Sequence, residues 1–203
     1  FYGASDDLHI GWLFEMDRVI KMGQIPPRFV PDLSFGFGYP LFNFVFPLPF
    51  YMAEVFHLIG LTLVDSIKLL FLLSLPVSGI FMYLFLRELT NNLLSLTGAI
   101  LYIYTPYRAV DVYIRGAIGE IVSFVFLPLV ALSFLKIKKS GSLRWVGIGA
   151  LALASLVLSH NITAYMFFPF AVLLIILLLD PQKKQKYLIN IFKTIFLALL
   201  ISA

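Results

Sequence analysis

The chain has 203 residues; 61% are hydrophobic, 16% aromatic and only 13% charged, with no cysteine and a formal charge of +4. Soluble domains run about 45–50% apolar and about 25% charged, and the mean hydropathy here is +0.96. An ordinary soluble domain, a disordered chain, a disulfide scaffold and a cysteine-ligated metal fold are therefore excluded. What remains is an all-α, polytopic helical membrane protein, since backbone in lipid must satisfy its own hydrogen bonds. The basic excess reads as loop charge that orients such a protein, not as a nucleic-acid surface.

The chain opens without Met, and its first residues have neither the basic nor the apolar region of a signal peptide. It stops inside an apolar run, 195–203. These ends suggest a piece of a longer protein, with a membrane helix expected before Phe1 and more after Ala203. The first feature is Ser5-Asp6-Asp7-Leu8-His9. Ile10, Leu13, Phe14 and Ile20 follow at helical spacing and predict an amphipathic helix over about residues 7–22. Two compatible readings exist for the acids. Ser5 or Asp6 caps that helix while Asp7 satisfies first-turn amides. Alternatively, one carboxylate serves at the membrane surface as a general base or metal ligand, with His9 nearby.

Residues 23–40 are dense in Pro and Gly and form a rigid, turn-rich loop. Its aromatics suit the headgroup layer, and Arg28 is placed to contact an anionic group. Gly36-Phe37-Gly38 lacks the strand–turn–helix setting of a dinucleotide site. Residues 46–61 carry Tyr51, Glu54 and His57 on one narrow stripe. A charge at mid-span costs about 2.5–3.5 kcal/mol on insertion scales, so this segment is expected to lie in the interface. Residues 1–63 then form an extracytoplasmic loop. A true span there would move Asp6 and Asp7 to the cytoplasm.

Six apolar stretches follow, at 67–86, 93–104, 118–135, 143–158, 162–179 and from 188 onward. Residues 67–203 are therefore expected to hold about six transmembrane helices within one multi-pass membrane domain, 1–203. Polar breaks fall at 87–92, 105–116, 136–144, 159–161 and 180–186. Lys136, Lys138, Lys139 and Arg144 share one break; Lys183, Lys184 and Lys186 share another on the same side. The positive-inside rule makes that side cytoplasmic. Nine basic residues and two acids fall inside on this topology, against six basic residues, nine acids and all three histidines outside. Any chemistry is therefore expected at the outer face.

Two further constellations sit on that face. Tyr107 to Glu120 contains Arg108, Asp111, Arg115 and an acid about one turn into the next span. A Glu at that depth faces a polar cavity or pairs with Arg115; functionally, Arg108 or Arg115 would bind a phosphate through a bidentate fork. Ser159-His160-Asn161 is a tight turn, in which His160 is either solvated or hydrogen-bonded to substrate. The histidines at 9, 57 and 160 are too dispersed in sequence to read as a zinc site.

Together the acidic pair, "GQIPPRFVPDLSFGFGYPLFNFVFPLPFY", "YIRGAIGE" and "LSHNIT" resemble the membrane-protein family labelled "6-pyruvoyl-tetrahydropterin synthase-related". The likeness runs from about Ser5 to Thr163. Pterin chemistry is not implied, since nothing matches that soluble enzyme's histidine zinc site. The chain is more distantly similar to the GT-C polyprenol-dependent glycosyltransferases. That resemblance implies a multi-pass protein of the cell membrane, with interfacial helices of the first loop over a lipid-facing cavity. It implies sugar transfer from a polyprenyl-phosphate donor to an acceptor of unspecified identity. The catalytic carboxylate maps onto Asp6 or Asp7. Arg115 or Arg108, with Arg28 outside them, would meet the phosphate, and His9, Glu120 and His160 would line the cleft. The resemblance specifies no cofactor, and a divalent metal is compatible. The competing reading is a transporter or lipid-handling protein without catalysis, which predicts charges deep within spans; here they collect at one face.

Overall fold

The computed structural model describes residues 8–203. It is all-helical; among these residues no strand forms, and Val30 and Tyr39 make one isolated antiparallel bridge. The Asp6–Asp7 pair lies outside the described residues.

The predicted amphipathic helix is α1 (His9–Lys21). Leu13, Met16 and Val19 are buried on one side, while Ile10 and Phe14 remain partly exposed. The turn-rich stretch follows, pinned by the Val30–Tyr39 bridge, whose two backbone bonds are both 2.8 Å. The Gln24 side chain accepts from the amides of Arg28 and Phe29 at 2.6 and 2.9 Å. Arg18 pairs with Asp32. Phe35, Phe37 and Phe44 are exposed. A short α2 (Leu41–Phe44) leads to α3 (Leu48–Leu58). With 11 residues, α3 is about 16 Å long, too short for a hydrocarbon core of about 30 Å.

The long helix α4 (Leu63–Arg87) starts at Thr62, whose hydroxyl oxygen accepts from the Asp65 amide at 3.1 Å. It forms a hairpin with α5 (Asn92–Ile103). Gly79 faces the Ile103 side chain and Gly98 faces Leu86, so the two backbones approach closely. Within 105–116, residues 106–115 are helical, not an open polar loop as the sequence suggests. Pro106 starts α6 (Pro106–Val110), and a π-helical turn (Asp111–Arg115) continues it to Gly116, which stops it with a φ of +68°. Proline at a first helical position and left-handed glycine at the end make this short unit possible.

The core helix is α7 (Ile118–Ser140). Its most apolar stretch is 78% buried, against 28% for α4 and for α10 (Lys184–Ser202). It runs five residues past its expected end. The lysines at 136, 138 and 139 are therefore on its last turns, where cations complement the helix dipole. Only Gly141 and Ser142 separate it from α8 (Leu143–Ser159). Helices α8 and α10 pack through small side chains. A Cβ on Gly149 would lie 3.0 Å from Thr194 and 3.1 Å from Ser133. α9 (Asn161–Leu177) lies at the rim, with Ala171 its one buried residue.

α4, α7 and α10 are long and apolar enough to cross a membrane, by length and composition; α8 and α9 are apolar but shorter, with 17 residues each. Their exposed faces carry residues such as Leu72, Phe168, Phe170, Leu173 and Phe196. A surface so rich in large apolar groups is the reverse of a soluble protein's and fits a membrane protein.

Candidate functional site

At the end of the bundle where α7 begins, α1, the Phe44–Phe46 segment and the α8–α9 turn enclose a cleft of about 420 Å3. Its wall includes His9, Trp12, Phe46, Arg115, Glu120 and His160. Four of the residues singled out in sequence, His9, Arg115, Glu120 and His160, thus meet at one place. Leu8, which follows Asp7 in sequence, is also on the wall.

An ion cluster forms one side. The Arg115 guanidinium contacts Asp111 Oδ1 through Nη1 and Glu120 Oε1 through Nη2, both at 2.8 Å. Tyr107 donates its hydroxyl to Glu120 Oε2 at 2.6 Å, and accepts from Arg115 Nη1 at 3.2 Å. The expected pairing of Glu120 with Arg115 is therefore present, with Asp111 and Tyr107 completing it. The π-helical turn sets this geometry, bringing Arg115 back over Asp111 before Gly116 redirects the chain into α7. Asp111 is fully buried while the Arg115 side chain is 38% exposed, so the cation reaches the cleft with Asp111 behind it and Glu120 beside it on the wall.

Burial, reinforced by the neighbouring Glu120 charge, raises the Asp111 carboxyl to about 6. Arg115 opposes this shift but does not cancel it. The hydrogen bond to Glu120 raises Arg115 further above its ordinary range. Tyr107 is also raised, chiefly because its proton is held by Glu120.

The histidines are ordered differently. His9 Nε2 donates to the Gly116 carbonyl at 2.9 Å, tying α1 to the start of α7. Its ring also meets Trp12 and Phe50 at centroid distances of 5.7 and 6.0 Å. His160 Nδ1 accepts from the Thr163 amide at 3.3 Å, so it caps α9 and is not merely a solvated turn residue. Its ring stands edge-on to Phe46 at 5.3 Å. Gly119 lets these pieces close: a Cβ there would fall 2.7 Å from the Ser159 carbonyl oxygen and 2.6 Å from the Phe46 ring.

Two predicted phosphate contacts are not brought to this cleft. Arg108 is 2% exposed. Its Nη1 donates to Ser78 Oγ at 2.7 Å, and its guanidinium lies 5.1 and 5.0 Å from the Tyr102 and Phe124 rings. Burial lowers its proton affinity. The helical register of α6 turns it into the bundle, an orientation that a loop reading of 105–116 cannot reveal. Arg28 is exposed, but lines an adjoining cleft with Tyr51, on the other side of the Phe44–Phe46 segment.

Sequence reasoning also missed a buried acidic contact between α1 and α3. Asp17 and Glu54 are 8% and 2% exposed. Burial and the Asp17 charge raise Glu54 above the usual carboxylate range. The stripe of Glu54 and His57 on α3 was visible as a polar face; its partner on α1 was not. No group of three metal-ligating side chains converges among the described residues.

No protein-family model matches the chain, and no solved structure matches it. An uncharacterized protein of Lactococcus lactis subsp. cremoris (strain MG1363) is 29% identical over 204 residues, covering 97% of this chain and 33% of that protein. The chain thus spans about a third of the length of this relative.

Proposed function

We propose that the protein is a multi-pass cell-membrane glycosyltransferase of the GT-C type, related to the "6-pyruvoyl-tetrahydropterin synthase-related" proteins. It moves a sugar from a polyprenyl-phosphate donor to an acceptor hydroxyl at the acid-rich end of the bundle. One observation carries the reading: Arg115 reaches, from a buried carboxylate pair, into a cleft shared with Glu120, two histidines and the rings of Trp12 and Phe46. A cation so held is pre-oriented for a phosphate. Aromatic walls suit a sugar ring and an isoprenoid chain.

In the proposed step, Asp6 or Asp7 takes the proton of the acceptor hydroxyl. The acceptor oxygen bonds to the anomeric carbon as the bond from that carbon to the phosphate oxygen breaks. The polyprenyl phosphate leaves with the electron pair, and Arg115 stabilises its charge. Asp111, Glu120 and Tyr107 are positioning residues that hold the guanidinium. His9 and His160 order the walls.

The test uses the full-length protein in liposomes with a labelled polyprenyl-phosphate sugar. Wild type is compared with Asp6→Asn, Asp7→Asn and Arg115→Lys at matched folding. Loss of donor turnover by about 100-fold or more with one Asp change names the base. Equal turnover in all four proteins overturns these assignments. Donor binding that is retained without turnover in wild type would support the lipid-handling alternative.

A further inference from the structure

The opposite end of the bundle carries a second cleft of different construction. It is about 250 Å3 and lies where the C-terminus of α7 meets the N-terminus of α10. Lys138 and Lys139 enter from α7, and Lys183 and Lys186 from the start of α10. Lys139 is already engaged, its Nζ 2.9 Å from Glu88 Oε2. Lys138, Lys183 and Lys186 have no ion-pair partner among the described residues. No carboxylate lines the cleft.

Its inner wall is polar and buried. Tyr187 and Asn190 are each 5% exposed. The Tyr187 hydroxyl is buried with no hydrogen-bond partner among the described residues. The Asn190 side chain makes only a long bond, 3.4 Å, to the Gly141 carbonyl. Lys186 lies over Gly141, where a Cβ would meet its Cε at 3.2 Å. Unneutralised cations beside an orphaned buried hydroxyl call for an anionic group that accepts hydrogen bonds. The cleft sits at the ends of two helices long enough to cross a membrane, which is the depth of lipid headgroups. Lysines there attract anionic lipids.

We propose that this cleft binds the phosphate of an anionic membrane lipid, with Lys138, Lys183 and Lys186 on the phosphate oxygens and Tyr187 donating its hydroxyl to the headgroup. The site is separate from the candidate catalytic cleft and stands whether or not that cleft transfers sugar.

The experiment is lipid retention by the full-length protein, read by native mass spectrometry after exposure to phosphatidylcholine vesicles containing phosphatidylglycerol. The triple variant Lys138→Gln/Lys183→Gln/Lys186→Gln should retain on the order of a hundredfold less phosphatidylglycerol, at about fivefold per lysine. The corresponding Lys→Arg triple should retain it, which separates lost charge from lost folding. Tyr187→Phe, which removes no charge, should lose several-fold. Unchanged retention in a folded Gln triple overturns the site. So does a Tyr187→Phe variant that binds like wild type, because charge alone would then explain the retention. Equal retention of phosphatidylcholine, or full displacement by millimolar inorganic phosphate, overturns the lipid assignment.

Discussion

The two ends of the bundle handle charge in opposite ways. At the candidate site, the buried carboxylates of Asp111 and Glu120 hold a partly exposed Arg115, and a tyrosine closes the network. At the far end, Lys136 and Lys139 reach Glu88 from the last turns of α7, with every partner partly exposed. The first arrangement holds ions out of water and so needs each partner. The second is a solvated contact that screening weakens. Orientation in a membrane requires only the second kind. The first is costly to build, which is why perturbed buried charges point to function.

The largest expected effect comes from removing the cation. Arg115→Ala leaves two buried carboxylates uncompensated and should lower stability by about 3 kcal/mol, read by denaturant titration in detergent. A change below about 0.5 kcal/mol would erase the contrast between the ends. Next is Gly119→Ala, whose added methyl meets a backbone carbonyl at 2.7 Å and should cost about 1–3 kcal/mol. Gly147→Ala is its control, since a Cβ there meets nothing within 4 Å; it should stabilise α8 by up to about 1 kcal/mol.

pH sharpens the comparison. The Asp111 carboxyl is raised to about 6, so the folded state binds its proton more readily than the unfolded chain. Its favourable contribution is fully present below the ordinary carboxylate range and is lost as pH rises through about 6. Asp111→Asn should flatten stability across that window. Glu88 has the opposite sign, because hydrogen bonds from Lys136 and Lys139 hold its carboxyl below the ordinary value. Its contribution is present above that value and disappears as pH falls through the lowered one. Glu88→Gln should therefore have the smallest effect, within about 1 kcal/mol at neutral pH and less in high salt.

Much of this architecture was legible in residue order. Composition identified helices and lipid, since few other folds tolerate so few charges. The 3.6-residue period located α1, and the segment 46–61 with its polar stripe contains the short helix α3. Apolar runs located the long helices, with the start of α7 as expected and those of α4 and α10 each four residues earlier. Boundaries were less legible where charge and helix coexist: lysines at 136–139 look like loop but extend α7, because their long side chains reach water while the backbone stays helical. Residues 105–116 also look like loop, but for a different reason: the charged Arg108 and Asp111 are buried inside the bundle.

The sequence by itself determined that titratable groups gather at one end and lysines at the other, because the order of apolar and charged segments fixes which ends can share a face. Only the tertiary structure decided which of those groups meet. Arg108 and Arg115 are equivalent as text, yet one is stacked between rings inside the bundle and the other reaches a cleft. That outcome depends on the rotation of one π-helical turn and on contacts such as His9 with Gly116, 107 positions apart. Local sequence carries no record of such separations, since helix register and packing against distant elements set the direction in which each side chain points.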